Sequence, residues 1–489
     1  MLAATNIEDA HVLFVNIFIN RSSNELSLWD ARREAINRIS RRVYVAMTSM
    51  QHHARPSSEP GLVTSSSRTS HRVAAMNRLR AVIVVAVAVL AGVSSGSADT
   101  GVNAYVQTIL VANRPELAPG ALVDKHLLNP WGIALRPPGV GGHIWISNAG
   151  NLSTSTYIGD VNGVPLHQDG LKIVYFETPQ ISYEDGLANV TGQVYNAASD
   201  FPNQPIEFPV SGPASNLSSG SPVSIGTSSG SAKFVFVTTE GTIHAWRAST
   251  AESMDRAVIV KDYSDHGRDQ ITTLRHLPAF TGVAMSTESG SRNRLYVTDF
   301  QNSAIRVFDN RWADITAAVT FARPSNIPAD FSPYNIQLLG GRLYVAYAAV
   351  DVDAEEPASD VPGPGAGHIV VYDLDGHIVR EFADTDRLNS PWGLALAPAN
   401  FGPFGGTLLV ANFGDGTIAA FDPSTGAFRD YLRGADGKPI VVDKVWGLAF
   451  GNGVSLGAAD SLYFTAGPNE EQDGVFGRLR YAGAATATK

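Results

Sequence analysis

The chain has 489 residues, no cysteine and a formal net charge of −10. The missing cysteines exclude a disulfide framework, cysteine-ligated zinc, iron–sulfur clusters and any thiol nucleophile. Charged residues make up only 17%, against roughly 25% in ordinary soluble domains. With 46 Gly, 27 Pro and 44% hydrophobic residues, this is a turn-rich globular chain with a large core.

The charge is uneven. Residues 1–80 carry eleven Arg, no Lys and six acids, whereas 81–489 carry 25 bases and 40 acids. A body that acidic lacks the basic footprint of a nucleic-acid binder. Residues 1–75 include Arg32, Arg33, Arg38, Arg41 and Arg42 and a Ser/Arg/His-rich tract from His52 to Arg72. They read as a non-native or disordered extension. From Met76 the chain reads MNRLR, then an apolar run Ala81–Val93, then small residues ending at Ala98. That order matches a secretory signal peptide over 76–98, with the mature chain starting at Asp99. The apolar run is too short to span a bilayer, which takes about 20 residues. The expectation is an exported protein, periplasmic or extracellular, with no transmembrane segment in the mature chain.

The strand Ala104–Ala112 precedes a repeat that organises everything after it. The phrase Pro130-Trp131-Gly132-Ile133-Ala134 recurs as Pro391-Trp392-Gly393-Leu394-Ala395 and Val445-Trp446-Gly447-Leu448-Ala449, with weaker copies around Gly192, Gly282 and Asn335. The anchors at 132, 192, 282, 335, 393 and 447 are spaced by 60, 90, 53, 58 and 54 residues. The long interval contains a Ser/Gly/Pro-rich insertion, 197–231. Each anchor is followed by a second strand-like run ending at Asn148, Glu240, Asp299, Tyr347, Asn412 or Thr465, and then by a third run. The runs are short, β-branched or aromatic, and bounded by Gly, Asn and Asp. Periodic units of this kind predict an all-β, six-bladed β-propeller of four-stranded blades over 99–489. Ala104–Ala112 would complete the last blade and close the ring. A seven-bladed ring that uses the insertion is the alternative. The small anchor residues would let inner strands crowd the axis.

The runs Arg294–Asp309 and Thr407–Asp422 look like NHL-type propeller repeats. More closely, residues 105–480 resemble a family of exported bacterial proteins with NHL-like propellers and no established activity. The residues that carry this are Asn129–Ala134, Thr239–Ile243, Ser332–Gln337, Ala411–Gly416 and Leu462–Pro468. More distantly, the architecture is similar to the regucalcin-like, gluconolactonase propellers, which are calcium-dependent. Those take a metal carboxylate from the start of the first blade, where this chain has Asn129-Pro130-Trp131.

Most familiar chemistry is missing. The G-x-S-x-G match at Gly226–Gly230 lies in a Ser/Gly loop without the strand-to-helix turn of a nucleophile elbow. No H-E-x-x-H occurs, and Asp351-Val-Asp353-Ala-Glu355 lacks the glycine of an EF-hand. The stretch 351–367 reads as a solvated hairpin loop. Propeller geometry brings Trp131, Tyr334, Trp392 and Trp446 to one axial mouth, together with Asn148, Glu240, Asp299 and Asn412. Two carboxylates and two carboxamides are oxygen donors suited to calcium, with Glu240 and Asp299 as its ligands. The same residues equally suit turn hydrogen bonds. The leading expectation is a monomeric, non-enzymatic module binding a small molecule, carbohydrate or protein partner at an exposed aromatic rim. The alternatives are a calcium-dependent hydrolase of lactones or esters and a structural, envelope-associated protein.

Overall fold

The computed structural model describes residues 102–137, 141–178, 189–200, 205–216, 223–249, 252–264, 277–286, 293–354, 358–382 and 385–483. All belong to one compact unit, Val93–Lys489. The extension 1–75 and the signal-like segment 76–98 lie outside the described residues.

β1 (Tyr105–Ala112) and β2 (Leu122–Val123) precede the first repeat. β3 (Pro130–Ala134), β4 (Ile144–Asn148), β5 (Ser153–Tyr157) and β6 (Ile173–Phe176) form an antiparallel meander. β7 (Val190–Tyr195) begins the second repeat, which is interrupted by a hairpin of β8 (Pro209–Asn216) and β9 (Val223–Ser231). It resumes with β10 (Phe234–Thr238), β11 (Thr242–Trp246), β12 (Glu252–Met254) and β13 (Arg256–Asp262). The third repeat holds β14 (Phe280–Met285), β15 (Arg294–Asp299) and β16 (Ala304–Asp309). The fourth has β17 (Phe331–Leu339), β18 (Arg342–Ala349), β19 (Gly367–Tyr372) and β20 (Ile378–Glu381). The fifth has β21 (Pro391–Leu396), β22 (Leu408–Asn412), β23 (Ile418–Phe421) and β24 (Phe428–Tyr431). The chain ends with β25 (Val445–Phe450), β26 (Ser461–Ala466) and β27 (Val475–Tyr481).

The architecture is all-β and propeller-like. The inner strands β3, β7, β14, β17, β21 and β25 each contact the next, and β25 returns to β3. β1 runs antiparallel to β27, from Tyr105 opposite Tyr481 to Ala112 opposite Val475, with one bulge. Burial follows from this stacking. β4, β10, β22 and β26 are buried along their whole length, because both sheet faces meet neighbouring sheets. Their sequences, such as FVFVT, are therefore apolar without alternation. The outer β20 and β24 are half exposed. Trp145 of the first sheet stacks on Phe234 of the second at 4.1 Å, one of the contacts that fill the space between sheets.

Three details differ from the expected pattern. The third sheet has three strands rather than four. After β16 the chain turns back only as an isolated bridge, Phe308 to Asp314, while Thr316 Oγ1 accepts the Val307 N–H that an outer strand would have used. The outer strands β6 and β13 pair in parallel, joining the first two sheets at their rims. The insertion pairs with itself and with β12 in a separate three-stranded sheet, while β7 meets β14 directly. Ser228 of the G-x-S-x-G match is buried within β9, donates to Glu252 Oε1 at 2.5 Å and accepts from Arg247.

His244 on β11 is fully buried, and its Nε2–H donates to Glu177 O at 2.9 Å. Burial pushes its pKa down to about 4, against the partial upward pull of Glu177. The folded state therefore holds a neutral imidazole where the unfolded chain protonates near 6.5. Stability is fully present above that value and falls as pH drops towards 4, by about 3 kcal/mol. His244→Gln is expected to flatten this limb, which urea melts between pH 7 and 4 will measure.

Candidate axial site

Each inner strand starts at the same end of the ring, where the connection between the second and third strands also lies. Four repeats place an aromatic residue just before the anchor, and these meet. Trp131 and Trp446 stack with centroids 3.5 Å apart, and Trp392 stands edge-on to them at 5.7 and 5.8 Å. Tyr334 is edge-on to Trp131 and Trp446 at 6.4 and 6.1 Å. Phe413, from the β22–β23 connection, covers the other face of Trp446 at 4.0 Å. The other two repeats place Thr191 and Thr281 here, and Trp392 Nε1 reaches past β17 to donate to Thr281 O at 3.1 Å. The rings fill the axial end.

The expectation of an exposed rim is corrected by this packing. Trp131 is 7% exposed, and Trp392, Trp446 and Tyr334 are each 1% exposed. Their faces cover one another, because apolar rings released from water pack together unless a ligand holds them apart. No open ring face is left as a platform for a sugar.

The four polar residues ending the second strands turn into their own sheets. Glu240 Oε2 accepts the Asn189 N–H at 2.9 Å, and Oε1 accepts the Thr239 hydroxyl at 2.5 Å. Asp299 Oδ1 accepts the N–H groups of Ala279 and Asn302, both at 3.2 Å, and Oδ2 pairs with Arg306 Nε at 2.8 Å. Asn412 Oδ1 accepts the Asn389 N–H at 3.2 Å, and its Nδ2 donates to Arg387 O at 2.9 Å. Asn148 Nδ2 donates to Ser153 Oγ and Ser155 Oγ, both at 3.0 Å. In three repeats, then, a side-chain oxygen captures the backbone N–H just ahead of its own inner strand. These donors do not fit a calcium ion, which takes 6–8 oxygens: the carboxylates are engaged, and Asp299 already has a cation. Among the described residues no three His, Asp or Glu side chains gather to hold a metal.

A second polar layer lies over the aromatic rings. Asn129, Ser390 and Lys444, each three residues before an anchor glycine, share a left-handed backbone with φ of 42°, 47° and 53°. This turns the chain into the inner strand and leaves each carbonyl free to accept the N–H of Ala149, Phe413 or Gly467. Asn129 Oδ1 accepts both Trp131 Nε1 and Trp446 Nε1, at 3.2 and 3.1 Å. Lys444 Nζ sits 4.3 Å from the Phe413 centroid.

Two acids complete this layer. Asp360 lies in the β18–β19 connection, and its Oδ1 accepts the Tyr334 hydroxyl at 3.0 Å. Glu471 lies in the β26–β27 connection beside Asn129 and Trp446. Burial raises the pKa of both, and the charge of Asp360 raises that of Glu471 further. Lys444 pulls both back down. Tyr334 is pushed well up by burial and the neighbouring acids, and stays protonated. Of the solvated hairpin loop expected at 351–367, Val352, Asp353, Val361, Pro362 and Pro364 are exposed, whereas Ala358 is buried and Asp360 tucks its carboxyl inward. Sequence reasoning missed Asp360, Ser390, Lys444 and Glu471. The position three before each anchor was open to alignment; the acids were not, since they sit in connections of unequal length.

If Asp299 is a strut, Asp299→Ala leaves the Ala279 and Asn302 N–H groups and the half-buried Arg306 without their acceptor and costs about 1–3 kcal/mol. Glu240→Ala loses two hydrogen bonds and costs about 1–3 kcal/mol. Chemical denaturation of both variants checks this, and wild-type stability in either would remove the strut role.

No family model matches the chain. It is similar to an uncharacterized protein of Acanthamoeba polyphaga mimivirus, 29% identical over 372 residues, which is 76% of this chain and 78% of the relative. A second protein of that virus is 28% identical over 372 residues, 76% of this chain and 84% of the relative. These sequence relatives are viral, where the motifs resemble exported bacterial proteins. Among solved structures, the chain is similar to a virginiamycin B lyase from Staphylococcus aureus at 16% identity and a TM-score of 0.36, covering 77% of this chain and 99% of the other. It is also similar to an α-L-arabinofuranosidase from Fusarium graminearum at 12% identity and a TM-score of 0.43, covering 78% and 99%.

Proposed function

We propose that the protein is a six-bladed propeller closed by β1 that binds a small ligand at the axial end where Asp360, Ser390, Lys444 and Glu471 stand over the aromatic rings. The blade count is supported by six successive inner strands, and the closure by the β1–β27 register. The observation that carries the binding reading is that two acids from two different connections lie near enough for the Asp360 charge to act on Glu471, with Lys444 acting on both. A strut needs one partner in its own sheet. Asp360 takes Tyr334 of its own sheet and also Ser390 of the next, and Glu471 takes Trp446 of its own sheet and also Asn129 of the next. Burial beside an opposite charge marks such groups as functional candidates. Export is part of the proposal and rests on the 76–98 pattern alone; a mature N-terminus at Asp99 in the native host is its check.

The calcium-hydrolase reading is the weaker one, because its two carboxylates are spoken for by their own sheets. A carbohydrate held by ring stacking is weaker too, because the ring faces are covered.

Thermal melts against a panel of neutral sugars, amines, carboxylates and calcium chloride test the proposal. A ligand at a hundred times its Kd stabilises by about 2.7 kcal/mol, a rise of about 3 °C for a chain of this size. At least one organic compound is expected to raise the melting temperature of the wild type and not of Asp360→Asn or Glu471→Gln. Calcium is expected to leave it unchanged. A compound whose effect survives both substitutions would move the site elsewhere, and a calcium-specific rise lost in Glu240→Ala would restore the metal reading.

A further inference from the structure

The β26–β27 connection holds three successive non-glycine residues, Asn469, Glu470 and Glu471, in the left-handed region, with φ of 60°, 53° and 65°. Only glycine, and occasionally Asn or Asp, takes that conformation routinely, and then singly. The three make one left-handed turn. Glu471 N–H donates to Gly467 O at 2.9 Å, and Gln472 N–H to Asn469 O and Asp473 N–H to Pro468 O, both at 3.2 Å. Two glutamates in such a run are strained, and strain persists only where the surroundings impose it. Here they impose it at the two feet of the turn. The Gly467 N–H donates to Lys444 O at 3.0 Å. The Asp473 carboxylate accepts Asn113 Nδ2 at 3.0 Å and Asn469 Nδ2 at 3.2 Å, and pairs with Arg114. Gly467 and Asp473 are buried, whereas Asn469, Glu470 and Gln472 are exposed. Between the feet Glu471 turns inward, and its carboxyl meets Asn129 and Trp446.

We propose that residues 468–472 form a pH-gated cap on the axial end, shut with the Glu471 carboxyl inserted and released on hinges at Gly467 and Asp473 when that carboxyl is charged. The cap goes beyond the binding proposal and needs no ligand. Release lets the backbone leave the left-handed region and puts Glu471 in water, while the two feet stay fixed. It also uncovers the indole edge of Trp446. Asp360 from the β18–β19 connection and Lys444 ahead of β25 act on the Glu471 charge, which in turn acts on the Tyr334 hydroxyl of β17. Arg114 and Asp443 meet the turn at Asp473 and Asn469 instead. Burial, and less strongly the Asp360 charge, hold the Glu471 carboxyl above its ordinary range, against hydrogen bonds from Asn129 and Trp446 and the charge of Lys444. The shut form therefore favours the neutral acid. It is fully stable below the ordinary glutamate value of about 4.3 and loses ground as pH rises towards the shut-state value. Within that window one proton leaves on opening, so the opening constant grows about tenfold per pH unit.

Native-state hydrogen exchange of the full chain from about pH 5 to 8, read by mass spectrometry over residues 468–474 and corrected for the intrinsic rate, tests the cap. The amides of Glu471, Gln472 and Asp473 are expected to lose protection about tenfold per pH unit at the acid end of this range and then to level off. Acrylamide quenching of tryptophan fluorescence is expected to rise in step. Exchange through global unfolding would run the other way, because the buried neutral His244 destabilises the fold as pH falls. Glu471→Gln stays neutral and should keep the acid-end protection and quenching at every pH. Asp360→Asn removes one of the charges that raise the Glu471 carboxyl, so its curve should level off at a lower pH with less opening in total. If Glu471→Gln does not fold, Asp360→Asn carries the test. Protection in the wild type that is flat with pH, a wild-type slope kept in Glu471→Gln, or an unmoved levelling point in Asp360→Asn would overturn the cap. No ligand is read, so the cap stands or falls apart from the binding proposal.

Discussion

Everything in this molecule depends on how closely the six inner strands approach one another. At four anchors the approach is backbone to backbone. A Cβ on Gly132 would lie 2.8 Å from Thr191 O, on Gly192 2.8 Å from Val283 N, on Gly393 2.2 Å from Trp446 O, and on Gly447 2.4 Å from Trp131 O. Backbone atoms of a paired strand cannot step aside as a flexible side chain can, so any larger residue must push two sheets apart. At the fifth contact Gly282 packs on Asn335, and at the sixth Asn335 Nδ2 reaches Trp392 O at 2.8 Å. There an amide bridges a gap that glycine closes elsewhere. The contacts run round the ring and return to their start.

The axial site is a consequence of that spacing. The residue before each anchor is carried towards the axis, and four aromatic residues at this position fill it. The rings then give the polar layer something to stand on. Asn129 is tied to two indole N–H groups, and Lys444 to the ring of Phe413. The left-handed backbone at Asn129, Ser390 and Lys444 costs roughly 1–3 kcal/mol each. It persists because the carbonyl of each accepts a backbone N–H from a following connection, and the side chains of Asn129 and Lys444 are held by the rings. Struts and site residues therefore differ in kind. Asp299 and Arg306 neutralise each other inside one sheet, whereas Asp360 and Glu471 gather from separate sheets and remain only partly compensated.

Much of this was legible in the sequence, and the reason is repetition. The anchors at 132, 192, 282, 335, 393 and 447 all lie on inner strands, and the runs Arg294–Asp309 and Val475–Tyr481 occupy the strands expected of them. The convergence of Trp131, Tyr334, Trp392 and Trp446 followed from their shared position. Their burial did not, because a sequence position says which rings meet and not whether they close on each other. The roles of Glu240 and Asp299 were ambiguous for a similar reason: a carboxylate at a strand end looks the same whether it faces the axis or its own turn. Asp360 and Glu471 were invisible, since they lie in connections that follow no period.

The central claim is that the ring stands on backbone contact at the anchors, and Gly393→Ala tests it most directly. Adding one Cβ 2.2 Å from Trp446 O forces β21 and β25 apart, a strain of about 1–3 kcal/mol or more. Gly170→Ala is the control, because nothing lies within 4 Å of its added Cβ and an exposed substitution stays within about 0.5 kcal/mol. Chemical denaturation of the two variants should show Gly393→Ala destabilised by at least about 1 kcal/mol with a changed tryptophan emission, and Gly170→Ala at the wild-type value. A Gly393→Ala protein as stable as Gly170→Ala, with unaltered emission, would contradict the account.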